Sequence, residues 1–222
     1  VSTIARGPRI LKGALVSIDR DTSVPSVIAF QYNPATVKRT LKPVMSGGEG
    51  DRAQAVRLSS APQETISIEV ELDATDGLET ADATTLSVGL HPQIAALELL
   101  AYPPTSRVMS NARLLNAGVI EISPMLAPRL LFVWGAKRVQ PVQITSYSIS
   151  EEEFDVNLNP IRATISLELR VLTYSDVSTS NPDYHQFLAY QQGLESLSGD
   201  VSAQRAADRR AIARDGDDIL NQ

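Results

Sequence analysis

The stretch Glu64–Asp73, ETISIEVELD, decides the reading of this chain. Ile66, Ile68, Val70 and Leu72 occupy one parity; Thr65, Ser67, Glu69, Glu71 and Asp73 occupy the other. Successive side chains on a strand point to opposite faces, so this spacing predicts a strand with one buried and one wetted face. A second stretch repeats the pattern. Between Arg162 and Leu172, Ala163, Ile165, Leu167, Leu169 and Val171 alternate with Thr164, Ser166, Glu168 and Arg170.

Outward from these two, strands are expected at 10–19, 26–33, 130–134 and 139–149, with a further one over Val37–Val44. Along 139–149 the apolar parity changes from even (Val142, Ile144) to odd (Tyr147, Ile149), which predicts a bulge or sharp bend near Thr145–Ser146. Ser46–Pro62, rich in Gly, Ser, Asp and Ala, reads as a long loop, and Ala74–Val88 as polar and turn-rich. His91-Pro92 opens a helix with an apolar stripe at Ile94, Leu97 and Ala101, which Pro103-Pro104 stops. Asn181-Pro182-Asp183 opens a second, with Tyr184, Phe187, Leu188 and Leu194 as its apolar face. The tail after Gly199 is polar. The whole predicts a mainly β antiparallel barrel or sandwich with an edge helix and a C-terminal helix. Its division is 1–177 for the β domain and 178–222 for the C-terminal helix and polar tail.

The 222 residues are 43% hydrophobic and 21% charged, the balance of a chain with one ordinary core. A net charge of −6 works against a phosphate-backbone partner, so nucleic acid is not expected. No apolar run approaches the ~20 residues that span a bilayer, and residues 1–15 lack a signal-type apolar core, so the expectation is a soluble product assembled in the cytoplasm, with no membrane partner. Without cysteine, disulfides, thiolate metal sites and cysteine nucleophiles are excluded.

Two histidines, His91 and His185, cannot build a multi-histidine metal site, and each reads as a turn or packing residue. Ser46-Gly47-Gly48 lacks the Lys and Ser/Thr that complete a phosphate loop. Glu151, Glu152 and Glu153 are consecutive on an extended segment and do not converge. No catalytic residue, cofactor or metal is therefore expected. Glu69, Glu71 and Asp73 differ, because they share one face of one strand: they line either a plain exposed sheet face or a water-filled lumen.

Two further stretches carry a resemblance. The first runs from Lys12-Gly13-Ala14-Leu15 to Phe30-Gln31-Tyr32-Asn33-Pro34. The second is Leu131-Phe132-Val133-Trp134-Gly135, then Val142-Gln143-Ile144, Phe154 and Asn159-Pro160-Ile161-Arg162-Ala163. Over roughly residues 10–175 the chain resembles the tube-domain proteins of contractile injection systems, the baseplate components that start the inner tube of phage-tail-like particles.

The resemblance implies a β-barrel or sandwich of the phage-tail-tube type, of two antiparallel sheets. It also implies a tube initiator or adaptor that forms hexameric rings around an axial channel. Its partners would be further copies of itself, the spike hub, the inner tube protein and other baseplate proteins, in a particle releasable from the cell. The lysin-motif module that follows the tube domain in several relatives has no match in 200–222. Ring formation would use the 46–62 segment, with Gly47, Gly48, Asp51, Arg52 and Arg57 at the interface. A β-sandwich module binding carbohydrate or protein is the alternative; the 5% aromatic content counts against it.

Overall fold

The computed structural model describes residues 11–18, 25–45, 58–118 and 128–220. Seven strands are present: β1 (Ala14–Ile18), β2 (Pro25–Ala29), β3 (Val37–Met45), β4 (Leu58–Asp73), β5 (Arg129–Val133), β6 (Val139–Phe154) and β7 (Pro160–Val171). They form one antiparallel sheet in the order β2-β1-β5-β6-β7-β4-β3, where the resemblance implied two sheets. Helices α1 (Thr75–Glu79), α2 (Ala83–Val88), α3 (His91–Glu98) and α4 (Thr105–Asn116) follow β4, and α5 (Pro182–Leu220) closes the chain. The mainly β, antiparallel architecture, with α3 as the edge helix and α5 at the C-terminus, is the one the alternation predicts.

The core forms where the alternating strands turn their apolar parity inward. Ile66, Ile68, Val70 and Leu72 of β4 are buried, as are Ala163, Ile165, Leu167, Leu169 and Val171 of β7. The two strands pair in unbroken register from Thr65↔Arg170 to Asp73↔Arg162, so both sets fall on one face. Leu90, Ile94 and Leu97, in and just before α3, cover this face, joined by Leu15, Phe30 and Phe132 from the other half of the sheet. The register of β6 on β7 shifts between Ile144 and Ser146. That is the bulge expected from the parity change, and it returns Tyr147 and Ile149 to the core side, where they pack on the cluster.

Several expectations need correction. Strand β4 begins at Leu58, so 58–62 is strand and not loop. Pro62 misleads because proline is confined to edges and bulges; here both Pro43 and Pro62 fall where the β3–β4 register slips, between Lys42↔Gln63 and Val44↔Ser60. The polar 74–88 segment holds the short helices α1 and α2, the latter capped by the Asp82 carboxylate, which accepts from the Thr85 N–H at 2.9 Å. Strand β2 stops at Ala29, short of the expected 33, and Tyr32 is exposed. β6 continues through Glu151–Glu153, all exposed, to Phe154. Helix α4 had no signal in the sequence because it buries none of its residues. Leu194 of α5 is exposed, and Tyr190 is buried in its stead.

Candidate functional site

The two stretches that carried the resemblance meet in space. Gly13 sits beneath the Trp134 indole: a Cβ there would lie 2.6 Å from its Cε3 and 3.0 Å from Phe30 Cδ2. Trp134 in turn stacks on Phe132, with ring centroids 6.0 Å apart. Asn33 fastens the same corner. Its Oδ1 accepts from the Gly13 N–H at 2.8 Å, and its Nδ2 donates to Leu11 O at 2.9 Å. Asn159 does the equivalent at the β6–β7 turn, donating from Nδ2 to Asp155 Oδ2 at 2.8 Å while its N–H reaches Asp155 Oδ1 at 2.8 Å. These bonds, the backbone one first, hold the Asp155 carboxyl below the usual range.

Gln31 rolls the sheet toward closure. Its Nε2 donates to Asp73 O at 2.7 Å, and its Oε1 accepts from the Asp73 N–H at 3.0 Å. The side-chain amide thus imitates one rung of a ladder at the end of β4. Pairing of β3 with β4 has already stopped at Val37↔Ile68. Beside this clip, a groove of about 480 Å³ runs between β2 and α3, floored by Val70, Leu72 and Leu97.

The opposite face of the sheet is polar over four strands. The pairing registers set its rows. Lys38, Ser67, Glu168 and Ser146 form one row, and Thr40, Thr65, Arg170 and Gln143 the next. Glu69, Ser166 and Ser148 follow, then Glu71, Thr164 and Ser150, and finally Asp73, Arg162 and Glu152. Every member is exposed or half-buried, and none is apolar. Glu69 and Glu71 are exposed; Asp73 is half-buried and bonded to Thr75, whose side chain and then backbone hold its carboxyl below the usual range. Arg162 lies 3.5 Å from Asp73 and 2.9 Å from Glu153. The three acids read from one strand are therefore part of a larger face in which Lys38, Arg162 and Arg170 also stand, a mixed polar surface and not an acidic one.

No protein-family model matches the chain, and no curated protein matches it. Among solved structures, it is similar to a chain in the tail of an empty GTA particle of C6 symmetry, at 12% identity and a TM-score of 0.30, covering 72% of this chain and 90% of that one.

Around one free edge of the sheet lies a buried polar network. Arg39 of β3 donates from Nε to Glu64 Oε1 at 2.6 Å and from a terminal nitrogen to the Tyr190 hydroxyl at 2.8 Å. Gln140 Nε2 donates to Glu64 Oε2 at 3.1 Å. Burial pulls the Arg39 guanidinium down, but the bond and charge of Glu64, aided by Tyr190, outweigh it and leave its pKa raised. The network joins β3, β4, β6 and α5, elements far apart in sequence, so no local period announced it. Nearby, Arg129 pairs with the buried Asp183 at the start of α5. Two buried polar atoms, Gln140 Oε1 and the Tyr147 hydroxyl, have no partner among the described residues. Burial first, then the charge of Glu98, pushes the Tyr147 phenol up to about 12.

The remaining sequence candidates stay apart. His91 is the exposed first residue of α3, and His185 is exposed on α5, edge-on to Tyr184. Among the described residues no group of three His, Cys, Asp or Glu is placed to hold a metal ion, and no helix is long and apolar enough to cross a membrane. Gly47, Gly48, Asp51, Arg52 and Arg57 lie outside the described residues.

Proposed function

We propose that this chain is a structural, non-catalytic subunit of a phage-tail-like contractile injection particle. In this reading six copies form a ring that connects the spike hub to the inner tube. The observation that supports it most is the sheet itself, which ends in two unlike edges, β2 and β3, and carries an uninterrupted polar face on β3, β4, β7 and β6. An unpaired strand edge is a template for another chain. When the complementary surface lies elsewhere on the same molecule the contact is heterologous, and a heterologous contact that closes makes a ring. Such a ring needs one wetted face toward its channel. The mixed Ser, Thr, Lys, Arg and carboxylate rows, with Glu69, Glu71 and Asp73 among them, suit a water-filled wall and bind nothing strongly. The stretches quoted above as resembling tube-domain proteins agree with this reading, and they meet at one corner of the fold.

The β3 edge can be tested without disturbing the β3–β4 ladder. Ala74 N–H donates to Ile161 O of β7, so Asp73 and every second residue back to Thr65 direct their backbone groups toward β3. Their partners Lys38 and Thr40 therefore point at β4, and Leu41 points at the free edge. Leu41→Pro removes one outward N–H. Leu41→Ser keeps it while removing the exposed apolar side chain. The expected result is a folded Leu41→Pro protein, by circular dichroism, that no longer assembles, beside a Leu41→Ser protein that does. Rings formed normally by folded Leu41→Pro would exclude β3 as the contact.

A further inference from the structure

Helix α5 is fastened to the sheet by polar bonds. Two of its described residues are buried, Asp183 and Tyr190, and each is held by an arginine. Arg129 of β5 pairs with the Asp183 carboxylate, and Arg39 of β3 donates to the Tyr190 hydroxyl at 2.8 Å. Between them Gln186 Nε2 donates to Val139 O at 3.3 Å. Of the described residues of α5, only Phe187 packs on the core cluster, and it is half-buried. Every residue from Gln192 to Ser202 is exposed. Helix α3 is the contrast: it seats through Ile94 and Leu97, with Leu90 just ahead of it, all buried and apolar.

The sheet side of this contact is polar as well. Glu64 accepts from Arg39 at 2.6 Å and from Gln140 at 3.1 Å, and both Glu64 and Gln140 are buried. Gln140 Oε1 has no partner among the described residues. A buried oxygen without a bond carries a desolvation penalty, which water relieves when its cover lifts. An apolar interface holds in proportion to the area it buries, whereas a hydrogen bond exchanged for water contributes little net. Lifting α5 therefore uncovers ionic and amide groups that water solvates, with the Phe187 and Tyr190 rings. Lifting α3 would open the apolar cluster itself.

The chain ahead of the helix supplies a joint. The Asp176 carboxylate binds Arg170 and the Thr173 N–H, and Ser175 Oγ accepts from the Ala61 N–H at 3.0 Å, so the sheet holds the chain as far as Asp176. Ser178, Thr179 and Ser180 are exposed. The Ser178 and Ser180 hydroxyls bond to each other at 3.1 Å, and the Asn181 N–H donates to Ser178 O. Asn181 Oδ1 accepts from the Asp183 N–H at 2.9 Å, so these bonds travel with the helix.

We propose that α5 is a latched arm. It leaves and reseats on the sheet as one unit, turning at 177–180, while the seven strands stay folded. Asp183–Arg129 and Tyr190–Arg39 are its two catches, and release uncovers the Arg39–Glu64–Gln140 cluster. The motion needs no partner and does not depend on membership of a tail particle.

Amide hydrogen exchange of the full-length chain, resolved by residue across a series of low denaturant concentrations, reads the opening. The amides of Phe187 to Gln191 are expected to share one opening constant, about tenfold or more above that of the Ile66–Leu72 and Ile165–Val171 amides. Its denaturant slope should be the smaller, because less surface is exposed. Asp183→Asn and Tyr190→Phe each remove one catch while keeping its shape. Either should raise the constant about fivefold or more over the whole stretch, whichever catch is lost. Protection and slope equal to those of the strands would mean that α5 opens only when the whole fold does. Faster exchange confined to the substituted turn would mean fraying, and no change in either variant would mean that these bonds do not hold the helix. Each of these three results overturns the proposal. The first is read on the unsubstituted chain, so it stands even where a variant fails to fold.

Discussion

Replacing Arg39 with leucine is expected to destabilise the chain by about 3–5 kcal/mol, the cost of leaving a buried charge without its partner. The side chain of Glu64 is 6% exposed, and Arg39 supplies its only cation in the described network, 2.6 Å away. Gln140 also reaches Glu64, but a neutral amide does not replace a guanidinium. Tyr190 loses its bond in the same variant, so the loss extends to the seat of α5. Chemical denaturation of Arg39→Leu, Glu64→Leu and the double variant separates the contributions. The two single variants should each fall well below the parent. The double variant should recover much of the loss, because an apolar pair of similar volume costs no desolvation. A single-variant loss under about 1 kcal/mol would show that Arg39 and Glu64 behave as an ordinary surface pair.

Truncating Phe132 to alanine is expected to cost about 3–5 kcal/mol. Phe132 is fully buried and lies opposite Leu15 in the β1–β5 register and opposite Gln140 in the β5–β6 register. It also supports Trp134, which roofs Gly13. Its removal therefore leaves a cavity and releases the corner at which β1, β2 and β5 meet. The neighbours have little freedom to collapse into the space, because Asn33 and Gly13 are fixed by hydrogen bonds on the other side. Thermal or denaturant unfolding measures the loss. A change below about 1 kcal/mol would mean that this half of the sheet contributes little to global stability.

What was legible in the sequence follows the environments of the residues. Strands β4 and β7 have one wet and one dry face over their paired length, so their alternation is strong and their register unambiguous. The bulge in β6 was legible for the same reason: a slip in parity has one structural meaning. The polar face was half-legible. Glu69, Glu71 and Asp73 were read as sharing a face, but the Thr164, Ser166 and Glu168 parity of β7 sat in the sequence with the same message. Only the pairing register shows that these rows join.

Other features left no local trace. Gln31 closes on Asp73, and Arg39 reaches Tyr190, across large separations through polar side chains that carry no period. Helix α4 half-buries only Arg107 and Asn111 and leaves Val108, Met109, Leu114 and Leu115 exposed, so it lacks the apolar inward stripe that marks a core helix. Leu194 was assigned to the apolar face of α5 together with Tyr184, Phe187 and Leu188, and it does continue the stripe of Phe187 and the buried Tyr190. The stripe is real, and the fold ends before it does.

The central claim is that six copies of this chain surround a channel. The most direct measurement is cryo-electron microscopy of tail-like particles purified from cells that produce this protein, with the chain identified by an inserted tag. The account predicts one ring of six copies between hub and tube, with Glu69, Glu71 and Asp73 on the channel wall. Particles that lack the chain, or carry it outside the axial stack, would contradict it.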